Sequence, residues 1–150
     1  MKRLFMASTG IPPERTASQI IELLVSCGAR QIGMEYDSLK KVSCVRFVLM
    51  IGGKESCFLL PARSQAVFKV LQERRTTWDR KRKSQVDQEQ AERVSWRQVY
   101  RWVQAQLAMI ETGMVEAGEV FMPYMEISPG RTAYQMLCEG KLLEAPKETA

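Results

Sequence analysis

The sequence predicts an α+β fold, an α-β-β-β-α two-layer sandwich followed by a helical extension that contains one long helix. Apolar side chains alternate with a period of two between residues 30 and 60, and recur every three or four residues on either side. Gly52-Gly53 indicates a tight antiparallel hairpin. Three antiparallel strands flanked by helices are expected to form a sheet that the helices cover on one face.

The first helix is expected after an irregular arm of residues 1–15. Thr16 precedes a periodic apolar run and has Gln19 three residues later, a capping-box pattern that indicates a helix start. Gly28 can adopt the left-handed conformation that ends the helix. Strands are then predicted over three stretches, residues 30–36, 42–51 and 54–60.

Pro61 introduces the second helix, predicted over residues 62–75, because proline suits the first position of a helix. Its apolar side chains are expected to be buried; they include Val67, Val70 and Leu71.

The C-terminal half is predicted to be helical. The long helix spans residues 87–112, begins at Asp87 and buries an apolar stripe that includes Trp96. Thr132 is expected to cap the last helix, whose apolar side consists of Tyr134, Leu137 and Cys138. The elements form one domain of three segments: a sandwich (residues 1–75), a basic linker (76–88) and a helical region packed on the sandwich (89–150).

The composition excludes several kinds of site. The chain has no histidine, which excludes Ser-His-Asp and Cys-His catalysis and most zinc sites. Its four cysteines form no CxxC pair and have apolar neighbours, as expected of buried free thiols in a reducing compartment; they are Cys27, Cys44, Cys57 and Cys138. Because no nucleophile with its base and no carboxylate set for a metal can be named, we expect neither an enzyme nor a cofactor.

No apolar run approaches the roughly 20 residues of a membrane span, and Gly10 and Pro12-Pro13 interrupt what resembles the start of a secretion signal. We therefore expect a cytoplasmic protein that does not bind membranes.

Positive charge is concentrated away from the C-terminal third. The net charge is +4 over residues 1–68, +5 over residues 69–101 and −4 over residues 102–150. Such an asymmetry indicates an anionic partner, most often a nucleic acid.

The sharpest local feature is a run of six cations in ten residues: Arg74, Arg75, Arg80, Lys81, Arg82 and Lys83. Trp78 lies among them, so the run could hold phosphates while the indole stacks on a base. A solvated linker is the alternative reading of the same pattern.

A second feature is the spacing of Arg93, Arg97 and Arg101, which places them in one stripe of the long helix, away from its apolar stripe. The stripe could extend a phosphate track along the helix. An ordinary solvent-exposed face, with Glu89 pairing to Arg93, is the alternative.

Residues 32–71 and, more closely, residues 90–121 (QAERVSWR, then WVQAQLAMIETGM) resemble a group of small uncharacterised bacterial and phage proteins. The resemblance implies an origin on phage or other mobile DNA. The element order is also similar to that of double-stranded-RNA-binding domains, whose second helix begins with a lysine cluster. Here that helix begins Pro61-Ala62-Arg63-Ser64, with Arg63 as the one cation.

The sequence thus favours a non-catalytic nucleic-acid-binding accessory protein, either DNA- or RNA-binding, with phosphate contacts that are largely independent of base sequence. The alternative is a protein-interaction module, such as a phage inhibitor of a host defence complex or a small subunit of a larger assembly. In that case the acidic, methionine-containing C-terminal third would contact the partner. A homo-oligomer is compatible with either hypothesis.

Overall fold

The computed structural model of the chain describes residues 3–74 and 84–140, with the side chains of the long helix described from Asp87 onward. The fold is α+β, as the sequence predicts. Its first half contains a helix, three strands and a second helix: α1 (Pro13–Ser26), β1 (Arg30–Tyr36), β2 (Val42–Ile51), β3 (Lys54–Pro61) and α2 (Ser64–Glu73).

The long helix opens the second half of the chain, and short elements follow it. These are α3 (Ser84–Glu111), α4 (Ala117–Phe121), a 3-10 turn (Met122–Tyr124), β4 (Glu126–Ser128), β5 (Arg131–Thr132) and α5 (Ala133–Cys138). Thr132 caps α5 as expected: it accepts a hydrogen bond from the Gln135 backbone N–H, and the Gln135 side chain accepts one from the Thr132 N–H.

The main sheet is antiparallel, with β2 between β1 and β3. Gly52 and Gly53 have φ of 58° and 80°, the positive values that a two-residue type I′ hairpin turn requires. The turn sets the register of β2 and β3, in which Phe47 lies opposite Phe58. One strand face therefore carries large apolar side chains along its length.

The core lies between this face and the helices. Phe47 and Phe58 stack with ring centroids 5.2 Å apart, and Phe121 of α4 meets Phe47 edge-on at 5.3 Å. Trp96 of α3 is 2% exposed, and its indole N–H donates a hydrogen bond to the Val42 carbonyl of β2. Both α3 and α4 therefore pack directly against the sheet.

Helix α1 runs parallel to α3. Pro13 and Glu14 line a cavity with Arg93, whereas Leu23 and Cys27 line another with Ile110. The beginnings of the two helices lie together, and so do their ends. Helix α2 packs against α3, and none of its residues is fully buried, so the burial predicted for Val67, Val70 and Leu71 is only partial.

Several predicted boundaries and burials are wrong. Helix α1 begins at Pro13, because proline suits a first helical position, and Thr16 is completely buried inside the helix instead of capping it. Helix α3 begins at Ser84, three residues before the predicted start at Asp87. The predicted apolar side of α5 is exposed, because α5 packs on the 3-10 turn and on β4–β5 and not on the main core; it comprises Tyr134, Leu137 and Cys138.

The four cysteines are free, but they are not uniformly buried. Cys44 is buried, and desolvation, the largest effect on its thiol, raises the pKa to about 11. Cys27 is half-buried beside an open-sided cavity of about 580 Å³ between the ends of α1 and α3, and burial raises its pKa as well. Cys57 is half-buried and Cys138 is exposed.

Candidate nucleic-acid interface

The basic run connects α2 to α3. Arg74 follows the last residue of α2, and its backbone N–H still bonds to the Val70 carbonyl. The other residues predicted to bind nucleic acid here lie outside the described ranges; they are Arg75, Trp78, Arg80, Lys81, Arg82 and Lys83. Since α3 begins at Ser84, the cations belong to the chain segment that joins two packed helices.

Arg101 fits the predicted arginine stripe. It is exposed, and its Nη1 donates a hydrogen bond to Gln104 Oε1 at 3.0 Å on the next turn of α3. Its guanidinium carbon lies 5.9 Å from the centre of the Tyr100 ring. A phosphate can approach this guanidinium from solvent, because its one described hydrogen bond leaves most of its N–H groups free.

Arg93 is half-buried in mixed surroundings. Its Nε donates to Gln90 Oε1 at 2.9 Å. It lines a cavity of about 220 Å³ in which Glu89 and Glu92 also take part, and Glu92 forms an ion pair with Lys41 at 2.9 Å. The hydrogen bond to Glu92 is the largest effect on Lys41 and raises its pKa. The nearby carboxylates reduce the attraction that this part of α3 can offer to phosphate.

Arg97 does not share the solvent-facing stripe, so the prediction that all three arginines line one exposed face is wrong for this residue. It is 8% exposed, its Nη1 donates to Gln19 Oε1 of α1 at 2.6 Å, and its guanidinium stacks 4.2 Å above the Tyr100 ring. Its buried Nε has no hydrogen-bond partner. Arg97 therefore acts as an α1–α3 packing residue in this structure.

An N-terminal arm, residues 3–12, covers this side of α3. Gln90 Nε2 donates to the carbonyls of Ala7 and Thr9, both at 2.9 Å, and Gln98 Nε2 donates to the carbonyl of Phe5 at 2.8 Å. Val94, between the two glutamines on the helix, is completely buried. The arm is thus held on α3 by side chains that the sequence analysis did not single out, since exposed glutamines on a helix carry no docking signal.

A groove at the start of α2 was also missed. Two adjacent cavities, of about 220 and 240 Å³, share Arg63 and Tyr124 as lining residues. Pro123, Thr132 and Tyr134 complete the first cavity. The second continues to α3 along Pro61, Ala66, Val67, Ser95, Gln98 and Val99. We call the two cavities together the Arg63 groove.

The opposite face of the sheet carries a charged cluster around Arg46. Its Nε bonds to Glu35 Oε1 at 2.5 Å, and its Nη1 bonds to Glu126 Oε1 at 3.0 Å and to Cys57 Sγ at 3.3 Å. The guanidinium lowers the pKa of Glu126, and the two carboxylates raise the pKa of Arg46. Because Arg46 bridges β1 and β4 and its one positive charge faces two carboxylates, the cluster joins structural elements and presents no free cation to a phosphate.

In the part of the chain that the structure describes, no three Cys, Asp or Glu side chains are grouped as metal ligands. Over the same residues, no helix combines the length and apolar content needed to span a bilayer.

Compared with family models, curated proteins and solved structures, the chain shows no significant match. Its resemblance to small bacterial and phage proteins therefore stays a prediction.

Proposed function

We propose that this chain is a non-catalytic nucleic-acid-binding accessory protein whose contacts to phosphate are largely independent of base sequence. The observation that carries the proposal is the concentration of six cations in residues 74–83, in the segment that joins the packed helices α2 and α3. Asp79 is the one acidic residue within this segment. The segment therefore carries a net charge of +5.

The physical basis is the release of counterions. Each cation that contacts a phosphate releases condensed counterions, so the logarithm of the binding constant falls linearly with the logarithm of the salt concentration, by about 0.9 per contact on duplex DNA and about 0.7 on single strands. Arg101 is exposed on α3 and adds one cation to the segment. Phosphate contacts carry no base-sequence information, so affinity is expected to depend weakly on base sequence.

The test is a salt titration of binding to labelled DNA and RNA, starting near 50 mM salt. Replacing four cations of the segment (Arg80, Lys81, Arg82 and Lys83) with glutamine is expected to reduce the salt slope by about 3–4 on duplex DNA, if each makes one contact. The charge-matched control replaces four exposed cations elsewhere: Arg15, Arg30, Lys40 and Lys54.

The control is expected to retain most of the slope, because its cations are scattered over α1, β1, the β1–β2 turn and β3. The proposal fails if the natural chain does not bind near 50 mM salt, if the response to salt is flat, or if both variants lose affinity equally.

A protein-interaction module is the second candidate, and a specific observation favours it. Several large apolar side chains of the acidic C-terminal third are more than 40% exposed: Met114, Met122, Ile127, Tyr134 and Leu137. All five lie between residues 114 and 137, and exposed apolar side chains that form a contiguous patch are typical of protein-binding surfaces. A stoichiometric partner that survives nuclease treatment and is lost on Met122→Ser and Leu137→Ser substitution would support this candidate.

Both candidates are proposed for a cytoplasmic protein, since four free cysteines suit a reducing compartment. An origin on phage or mobile DNA belongs to the same proposal, and it rests on the resemblance of residues 32–71 and 90–121 to small bacterial and phage proteins.

A further inference from the structure

The Arg63 groove combines the two chemical features of a nucleotide site, a cation and exposed aromatic surface. Its two cavities together fall within the roughly 300–1,000 Å³ range of small-ligand sites. The groove runs from α5 and the 3-10 turn to the contact between α2 and α3. It is neither an apolar slot nor a purely charged patch.

Arg63 supplies the cation. Its side chain is exposed and makes no hydrogen bond or ion pair with any residue in the described ranges. An arginine on a cavity wall with five free N–H donors is suited to hold a phosphate by two parallel hydrogen bonds. Arg63 differs in this respect from Arg46 and Arg97, whose guanidinium groups are already engaged inside the fold.

Tyr134 and Tyr124 supply the aromatic surface. Tyr134 is 53% exposed on α5, and interaction of its hydroxyl with the Cys138 thiol raises the pKa of Tyr134. Arg63 is close enough to act electrostatically on this hydroxyl. Tyr124 is held edge-on against Trp102, with ring centroids 5.7 Å apart. A planar group can therefore meet an exposed tyrosine ring in the same cavity as a free cation.

The position of the groove relative to the basic run favours a polynucleotide over a small ligand. Arg63 immediately precedes α2 and Arg74 immediately follows it. The ten residues of α2 span about 15 Å. Lys69, between them, is exposed. A strand with a nucleotide in the groove can continue along α2 toward its C-terminal end, where the basic run begins in the sequence.

We propose that the Arg63 groove binds one nucleotide of a single-stranded nucleic acid, with the base against the Tyr134 ring and the adjacent phosphate on Arg63. This inference rests on the proposed function and adds to it a preference for single strands. A duplex keeps its bases stacked and paired inside the helix, so it cannot offer a free base face to a tyrosine, whereas every unpaired base can stack.

The experiment measures binding of oligo(dT) of about 12 nucleotides, and of a duplex of equal length, by fluorescence anisotropy. Tyr134→Ala is expected to weaken oligo(dT) binding roughly 5- to 150-fold and to leave duplex binding unchanged. Tyr134→Phe keeps the ring and is expected to bind as the natural chain does. The matched control is Tyr36→Ala, because Tyr36 on β1 is 56% exposed and lies outside the groove.

Arg63→Gln is expected to lower the salt slope for oligo(dT) by about 0.7, the value for one phosphate contact on a single strand. Its control is Arg30→Gln, at another exposed arginine, on β1. The Tyr134 and Arg63 variants are expected to unfold at the same temperature as the natural chain, because both side chains are exposed. An unchanged unfolding temperature shows that a loss of binding is not a loss of fold.

Three results would overturn the inference. If Tyr134→Ala behaves as Tyr36→Ala while the natural chain still binds with a steep salt response, the groove proposal fails and the proposed function stands. If the natural chain binds neither oligonucleotide, both fail. If a glutamate-rich peptide binds as tightly as oligo(dT), with the same dependence on Tyr134, the groove is a peptide-docking site and the nucleotide assignment is wrong.

Discussion

Phe121 joins the C-terminal region to the sheet, and its truncation tests whether the chain unfolds as one domain. The side chain is completely buried, and its ring contacts Phe47, Phe58 and Trp102 at centroid distances of 5.3, 6.2 and 5.8 Å. Helix α4 comes so close to β2 that a Cβ on Gly118 would lie 3.1 Å from Ile51 Cγ2. Such tight packing leaves little freedom to collapse around a cavity.

The expected cost follows from this environment. Replacing a buried phenylalanine with alanine lowers the free energy of unfolding by about 3–5 kcal/mol, and the three edge-on ring contacts place Phe121→Ala toward the upper part of that range. Natural domains are stabilised by about 5–15 kcal/mol in total. For a chain of this length, each kcal/mol lowers Tm by roughly 2–4 °C, so we expect a loss of about 6–20 °C.

The assay is thermal and urea unfolding followed by circular dichroism, with Phe5→Ala as the control because Phe5 is 60% exposed on the arm. A single cooperative transition that moves to lower temperature supports one domain in which α4 is part of the core. A loss below about 1 kcal/mol would refute the reasoning, since it is the range of a surface substitution. Two separate transitions would show that the C-terminal region folds independently of the sheet.

Three further predictions concern charges and the arm. Glu126→Gln is expected to lower the free energy of unfolding at neutral pH, because Arg46 lowers the pKa of Glu126 in the folded chain. This stabilisation is fully present above the ordinary carboxyl pKa and is lost as the pH falls through the lowered pKa. Urea titrations from neutral pH to about pH 3 should therefore show the stabilities of the two proteins converging. Arg101→Gln is expected to reduce the salt slope of nucleic-acid binding by about 0.7–0.9, whereas Arg97→Gln should leave that slope unchanged because the guanidinium is buried. Gln90→Ala removes two hydrogen bonds to the arm, worth about 1–3 kcal/mol, and hydrogen exchange should show correspondingly faster exchange of amides in residues 4–9.

The strands and the hairpin were predictable because their signals are local. Alternation of apolar residues and the Gly52-Gly53 pair determine β1, β2 and β3 to within one residue of their observed ends. The cap at Thr132 is equally local. At α1 two local signals competed. Pro13 determines the start because its ring fixes φ in the helical range, whereas Thr16 is completely buried within α1 and its hydroxyl caps nothing.

The groove could not be predicted, because its walls come from four separate parts of the chain. Arg63 follows β3, Tyr124 lies in the 3-10 turn, Tyr134 lies on α5, and Gln98 comes from α3. No spacing rule relates these positions, and each residue alone is an ordinary surface side chain. The sequence contains the residues that line the groove, but their proximity follows only from the packing of α2, α3 and α5.

The arginine stripe shows how a correctly identified helical periodicity can give a wrong prediction of which side chains are exposed. Spacing of four residues does place the three arginines along one side of α3, but α1 packs against that side at Arg97, whose guanidinium donates a hydrogen bond to Gln19 of α1. Arg97 is buried, and Arg101, one turn further on, is exposed. Of the stripe, then, one arginine remains fully open to a phosphate. Under the proposed function, neutralising Arg80, Lys81, Arg82 and Lys83 is expected to reduce the slope about four times as much as Arg101→Gln does.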